Sequence, residues 1–89
     1  MEQNLDVRYA RSFLQDLVRL DPVKYQKIYD YVLSDVRQLK SLYELPELRS
    51  LDPSRIYYRF TLDDYLVGIE ATGQIIKFIR ILPKPKIAE

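Results

Sequence analysis

The sequence predicts an α+β domain with the order β-α-α-β-β-β, in which a helical hairpin packs on one face of an antiparallel sheet. Three observations predict it. Apolar residues recur at helical spacing in the first half of the chain, they alternate with polar residues in the last third, and tight turns separate the alternating segments. Because 89 residues leave room for one hydrophobic core, we expect a single domain over residues 1–89.

The first half of the chain supplies one strand and two helices. Residues 5–9 alternate apolar and polar side chains, as a short half-buried strand does, and the helical spacing then covers residues 10–20 and 22–40. Between the two helices, Asp21-Pro22 has the form of an N-cap followed by proline at the first helical position. So short a connection predicts an antiparallel helical hairpin.

The second half supplies the rest of the sheet. Residues 41–54 contain two prolines and several leucines, so we expect an irregular connection that is pinned to the core. Strands follow at residues 55–62, 65–70 and 75–82, with turns at 63–64 and 71–73, and they predict a three-stranded meander.

Composition excludes several classes of chemistry. The chain has no cysteine and no histidine, which removes thiolate metal sites, cysteine nucleophiles, the commonest general base and the commonest metal ligand. We therefore expect no metal and no cofactor. No apolar run approaches the ~20 residues that span a bilayer, and residues 1–4 do not resemble a signal peptide, so we expect a cytoplasmic protein that does not contact the membrane.

The acidic residues predict no catalytic pair. Asp63 and Asp64 are adjacent carboxylates in a predicted turn, where such residues are usually solvated turn formers. Glu70 lies at a predicted strand end, no serine has a lysine at S-x-x-K spacing, and Gly68 and Gly73 are isolated. From the residues alone, binding of a partner is better supported than catalysis.

Basic and aromatic residues share one face of the predicted meander. Arg55, Tyr57, Arg59 and Thr61 project from the same side of one strand, and a series of basic residues follows: Lys77, Arg80, Lys84 and Lys86. Tyrosine and arginine on an open sheet can stack bases and hold phosphates, which would suit RNA. They are equally typical of a solvated sheet face or of a protein–protein interface, and both interpretations stay open. The net charge of +1 gives no overall basic excess.

Three segments nevertheless resemble one known family. They are Tyr58-Arg59-Phe60, the run from Asp64 to Glu70, and the run from Phe78 to Leu82. In this order they resemble the C-terminal half of the RelE/ParE superfamily, the toxins of type II toxin–antitoxin systems. The N-terminal half is similar in layout and has the family's F-x-x-D-L pattern at Phe13, Asp16 and Leu17. The resemblance covers nearly the whole chain.

The resemblance implies a metal-independent endoribonuclease that cuts messenger RNA on the ribosome and a cognate antitoxin protein that binds it. Matched to the family motif, the candidate catalytic residues are Arg59, Arg80, Lys84 and Tyr65. Four other family positions differ: Thr61 and Leu66 replace arginines, Pro83 replaces a histidine, and Ala88 replaces a tyrosine. Lys84 itself replaces an arginine, so it keeps the charge but loses the planar guanidinium.

These substitutions predict an antitoxin-binding protein whose nuclease activity is weak or absent, since the loss of one transition-state donor commonly costs 10²–10³-fold. Two alternatives stay open. One is an active messenger-RNA nuclease with a rearranged pocket, in which Arg59, Arg80 and Lys84 hold the phosphate and Tyr57 or Tyr65 moves protons. The other is a ParE-like protein that poisons DNA gyrase by protein contact alone.

Overall fold

The computed structural model describes residues 4–85, which contain two α-helices and a five-stranded sheet. The elements are β1 (Asp6–Tyr9), α1 (Arg11–Val18), α2 (Pro22–Asp30), β2 (Arg49–Ser50), β3 (Tyr57–Leu62), β4 (Tyr65–Thr72) and β5 (Ile75–Pro83). The predicted α+β class and the helical hairpin on the sheet are confirmed. Lys86 and Ala88 lie outside the described residues.

The N-cap predicted at Asp21 is confirmed and starts α2. Its carboxylate accepts hydrogen bonds from the backbone N–H groups of Val23 and Lys24, both at 3.1 Å, and Pro22 follows it. After Asp30 the chain stays helical but changes its hydrogen bonding, through a π-helical turn at Tyr31–Asp35 and a 3₁₀ turn at Val36–Gln38. The helix predicted over 22–40 is therefore a continuous helical segment over 22–38 that changes from α-helix to π-helix to 3₁₀ helix.

The sheet differs from the prediction in two respects. Its order is β1-β5-β4-β3-β2, and β1 pairs parallel with β5, so the sheet is mixed rather than wholly antiparallel. In addition, the connection predicted to be irregular contains the two-residue strand β2, which pairs antiparallel with β3. The connection is pinned to the core as expected, by the buried Leu45. The second turn of the meander lies at residues 73–74, because Ala71 and Thr72 extend β4.

A β-bulge at Ile79 decides which way the end of β5 faces. Ile69 pairs with Phe78, but the next residue of β4, Gly68, pairs with Arg80, so Ile79 is an extra residue on β5. In a regular register Arg80 would lie opposite Val67, whose side chain is fully buried. The bulge therefore moves Arg80 away from the core and places it on the other face of the sheet.

The core lies between the helices and one face of the sheet. Phe78 is at its centre, with its ring centroid 5.2 Å from Phe13, 5.6 Å from Tyr9 and 6.1 Å from Phe60. Alternate residues of β3 and β4 point to this covered face, as the sequence predicts: Tyr58, Phe60, Val67 and Ile69 are at most 6% exposed. The residues between them lie on the other face, which is called the open face below because the buried residues of the helices belong to the core on the covered face.

Candidate nucleic-acid interface

The open face concentrates positive charge, although the chain is nearly neutral. Four of the five strands contribute basic residues to it: Arg8 on β1, Arg49 on β2, Arg59 on β3, and Lys77 and Arg80 on β5. Lys84 lies just beyond β5, and β4 supplies the acidic Glu70 and the glycine Gly68 instead. Basic residues that are scattered along the sequence therefore lie on one face, because successive side chains of a strand point to opposite faces of the sheet. A local cationic surface of this kind suits an anionic polymer.

A hollow of about 380 Å³ opens in this face, where β2, β3 and β4 meet the end of β5. Seven residues line it: Glu47, Arg49, Arg59, Thr61, Leu66, Lys84 and Pro85. The lining carries three cations and one carboxylate, and Leu66 supplies an apolar wall. The net positive charge of this lining suits an anionic group such as a phosphodiester.

Arg49 and Arg59 are two of the three cationic residues that line the hollow. They are directly opposite each other on β2 and β3, and neither side chain makes a hydrogen bond or ion pair with any residue in the described range 4–85. Like charges directly opposite on neighbouring strands are destabilising. A locally unfavourable arrangement that no ion pair among the described residues relieves is typical of a binding site that an external anion completes.

Glu47 lines the same hollow and has an unusual backbone geometry. Its φ of 51° lies in the left-handed region, where a non-glycine residue is uncommon. The preceding residue is fixed, because the carbonyl oxygen of Pro46 accepts a 3.0 Å hydrogen bond from the backbone N–H of Thr61. The chain is therefore tied to β3 on one side of Glu47 and paired as β2 on the other, and this arrangement holds the carboxylate at the rim of the hollow.

The structure brings two of the four predicted catalytic residues together. Arg59 and Lys84 line the hollow, as does Leu66, which stands where the family motif has an arginine. The backbone of Lys84 is held in place, since its N–H donates to the carbonyl oxygen of Asp64 at 2.8 Å. Tyr65 does not line the hollow. It packs against the core and borders a second, neighbouring depression of about 360 Å³, which it shares with Lys84.

Arg80, the fourth predicted catalytic residue, lies near the hollow but is held by α1. Its Nε donates to Asp16 at 2.7 Å, and the same carboxylate oxygen accepts the backbone N–H of Ile81 at 2.9 Å. Burial tends to raise the pKa of Asp16, but the Arg80 and Ile81 hydrogen bonds outweigh that effect and hold this pKa below its usual value. Asp16 thus accepts a backbone hydrogen bond from β5 beyond the point where β1 ends. The ion pair with Asp16 leaves about half of the Arg80 side chain exposed.

The predicted turn at Asp63-Asp64 is confirmed, and its carboxylates have a structural partner. Lys24 at the start of α2 donates to Asp63 at 2.6 Å and to Asp64 at 3.1 Å. The hydrogen bond from Lys24 holds the pKa of Asp63 below its usual value, and the pair raises the pKa of Lys24. These contacts join the helical hairpin to the β3–β4 turn, so the two acids are not free for catalysis.

Sequence reasoning missed Arg49 and Glu47. A strand of two residues leaves no alternating pattern to detect, so nothing in the sequence placed Arg49 opposite Arg59. For Glu47 the available signal was its position directly after Pro46, in a segment rich in leucine. That signal predicts a turn but not the direction of the side chain.

The hollow contains the residue types that cleavage of a phosphodiester requires. A carboxylate such as Glu47 can accept a proton from a 2′-hydroxyl, guanidinium groups can stabilise the charge of a pentacoordinate phosphate, and an ammonium group such as Lys84 can assist the leaving oxygen. Among residues 4–85, no cluster of three or more acidic side chains could hold a metal ion. The helical segments among residues 4–85 lack the length and apolar character of a membrane-spanning helix.

Comparison with solved structures identifies the fold. A chain of the toxin–antitoxin complex RelBE2 from Mycobacterium tuberculosis is 13% identical with a TM-score of 0.71, over 90% of this chain and 98% of the other. The RelB–RelE antitoxin–toxin complex from Methanococcus jannaschii gives 25% identity and a TM-score of 0.55, over 85% and 88%. The chromosomal ParDE toxin–antitoxin system of Pseudomonas aeruginosa gives 18% and 0.59, over 91% and 97%.

Comparison of the sequence with protein-family models and with curated proteins gives no match. The structural likeness is therefore the finding that identifies the fold of the chain. It covers nearly the full length of both chains in each case, and all three solved structures come from toxin–antitoxin systems. The chain has the fold of the RelE/ParE toxins, and the resemblance predicted from its motifs is confirmed.

Proposed function

We propose that this protein is the toxin-type component of a toxin–antitoxin pair and that its hollow binds a phosphodiester of single-stranded RNA. One observation carries the proposal. Arg49 and Arg59 are directly opposite each other, and neither forms an ion pair with a described residue, in a hollow whose lining of Arg49, Arg59, Lys84 and Glu47 is net positive. An anionic ligand would relieve the repulsion between the two guanidinium groups. An RNA strand supplies such anions at regular spacing.

Cleavage of the bound RNA is expected to be slow. Leu66 gives an apolar wall where the family motif has a cation, and Arg80 is engaged by Asp16. Two positive groups that would stabilise the transition state are thereby missing from the hollow, and each such loss commonly costs 10²–10³-fold. We therefore expect the protein to bind RNA but to cleave it only slowly.

A second candidate function is an active, metal-independent endoribonuclease, and the position of Glu47 favours it. Glu47 is the carboxylate that lines the hollow together with Arg49, Arg59 and Lys84. A base, stabilising cations and an acid would then all be present in one hollow. Replacement of Glu47 by glutamine separates the two candidates, since it would abolish cleavage by an active nuclease while RNA binding remains.

The test is a binding and cleavage assay with a fluorescent single-stranded RNA of nine nucleotides. We expect Arg49→Ser/Arg59→Ser to weaken binding by about a hundredfold, since each charge-assisted contact accounts for about tenfold. The matched control is Arg11→Ser/Arg37→Ser, which removes the same charge from exposed positions on the helical segments. Equal affinities for the two double variants would refute the proposed site.

The proposed partner is an antitoxin that covers the helical side. Leu14, Val18 and Val23 lie on the helical hairpin and are between 46% and 70% exposed, so they offer apolar surface away from the hollow. Co-expression with the product of the neighbouring reading frame should give a stable complex, and Leu14→Asp/Val18→Asp should disrupt it while RNA binding is unchanged. If the charged variant still forms the complex, the antitoxin binds elsewhere.

A further inference from the structure

Tyr57 is an exposed aromatic side chain on the open face that no structural role explains. It is 45% exposed, and among the described residues it makes no ring contact and no side-chain hydrogen bond. It lies two positions before Arg59 on β3, so the two side chains share a face and stand about 7 Å apart along the strand. An unpartnered ring beside a phosphate-binding cation is the arrangement that stacks a nucleobase.

Glu70 gives this ring a polar neighbour. It is directly opposite Tyr57 on β4, where side chains of a cross-strand pair lie about 5 Å apart. Lys77 follows opposite Glu70 on β5, yet within residues 4–85 the carboxylate accepts no hydrogen bond and forms no ion pair. Glu70 is therefore a free two-oxygen acceptor at the edge of an aromatic platform.

Gly68 leaves open space between the Tyr57–Glu70 pair and the hollow. It lies on the open face between Glu70 and Leu66, opposite Arg59 on one side and Arg80 on the other. A Cβ built on Gly68 would have no atom within 4 Å, so the space above it is empty. Glycine inside a strand commonly marks a place where a ligand or another backbone comes close. Tyr57, Gly68 and Arg59 thus form a continuous strip along the face.

We propose that Tyr57 and Glu70 form a base subsite for single-stranded RNA that selects guanine, with the sugar–phosphate backbone passing over Gly68 to the Arg49–Arg59 pair. Guanine presents two adjacent donors, N1–H and the exocyclic amino group, which match the two oxygens of Glu70 while the ring stacks on Tyr57. Adenine presents an acceptor at N1 and uracil has no amino group. The inference rests on the proposed function, because it presumes that the hollow binds an RNA phosphate.

The test measures the affinity of the full chain for uridine nonamers that contain one central guanosine, inosine, adenosine or abasic site. Wild type should bind the guanosine RNA tightest, by about tenfold to a hundredfold over the abasic RNA. Tyr57→Leu should lose that advantage and Tyr57→Phe should keep it. Tyr29→Leu, at an exposed tyrosine of α2, is the matched control and should bind like wild type.

Two further variants separate stacking from base selection. Glu70→Gln should reduce the preference for guanosine over inosine and adenosine, while the abasic RNA binds as before. Gly68→Ala adds a Cβ that would meet no atom of the protein within 4 Å, so it should obstruct the RNA backbone and weaken binding of all four RNAs alike. Thermal melting of each variant checks that the fold is intact. The comparison of guanosine with abasic RNA uses the wild-type protein alone, so it does not depend on the folding of any variant.

The outcomes distinguish this inference from the proposed function. If wild type binds the guanosine and abasic RNAs equally, or if Tyr57→Leu binds like Tyr29→Leu, the base subsite is wrong. The proposed function then stands as long as Arg49→Ser/Arg59→Ser still weakens binding. If wild type binds none of the four RNAs, the subsite and the proposed function are both wrong.

Discussion

The two faces of β3 and β4 differ in what their side chains have as partners. On the covered face Phe60 and Val67 are fully buried. On the open face Arg59 makes no hydrogen bond or ion pair with a described residue, and Gly68 leaves empty space. Because neighbouring residues of one strand point to opposite faces, the residues that stabilise the core alternate along the strand with those that are proposed to bind RNA. Substitutions on the two faces should therefore affect different measurements.

The largest expected effect is on the covered face. Phe78→Ala removes the side chain at the centre of the aromatic cluster and should lower the free energy of unfolding by about 3–5 kcal/mol. Tyr57→Ala on the open face should change it by less than about 0.5 kcal/mol. Urea unfolding followed by circular dichroism measures both. A similar loss for the two variants would contradict the separation of the faces.

The next largest effect is expected at the contact between Asp16 of α1 and the end of β5. Asp16→Ala leaves the Ile81 N–H without its partner and frees Arg80, so we expect a loss of about 1–3 kcal/mol of unfolding free energy. The depressed pKa of Asp16 means that the folded state binds fewer protons than the unfolded state. The contribution is therefore complete above the ordinary pKa of 3.8 and is lost as the pH falls below it towards the folded pKa.

Measuring urea unfolding between pH 2.5 and pH 6 tests this linkage (roughly the range over which an aspartate titrates). The difference in unfolding free energy between wild type and Asp16→Asn should shrink as the pH falls through the lower half of that range. A difference that stays constant with pH would show that the charge of Asp16 does not stabilise the fold.

On the open face, Leu66→Arg should increase RNA binding. It adds a guanidinium group to the wall of the hollow where the family motif has one, and we expect about tenfold tighter binding and faster cleavage. Leu82→Arg is the matched control, because Leu82 pairs with Leu66 on the same face but does not line the hollow. An equal gain from both variants would indicate general attraction to a basic face rather than a specific site.

The smallest effect is expected at the β3–β4 turn. Lys24→Met removes the cation shared by Asp63 and Asp64, so the melting temperature should fall slightly at low salt. The decrease should disappear at 1 M salt, where exposed ion pairs are screened. Thermal melting at both salt concentrations tests this. RNA binding should not change, since none of the three residues lines the hollow.

The parts of the fold that follow from local patterns could be predicted. Alternation in β3 and β4 assigned Tyr58 and Phe60 to the core and Tyr57 and Arg59 to the other face, and Asp21-Pro22 marked the start of α2. The parallel pairing of β1 with β5 could not be predicted, because it joins segments nearly 70 residues apart and leaves no local signal.

The site was less predictable for the same reason. Arg59 and Lys84 were found through the family motif, but Arg49 depends on a two-residue strand and Glu47 on a left-handed backbone conformation. The orientation of Arg80 depends on a bulge at Ile79, and its partner Asp16 is 64 residues away in the sequence. Long-range register, rather than residue type, determines which charges meet.

The most direct test of the open face as the RNA-binding surface is an NMR titration of the isotope-labelled protein with a single-stranded RNA nonamer. Amide resonances of Arg49, Arg59, Thr61 and Gly68 should shift progressively, while those of the buried helical residues Ile28 and Val32 should not. Shifts that concentrate on α1 and α2, or no shifts at a salt concentration low enough to favour binding, would contradict the account.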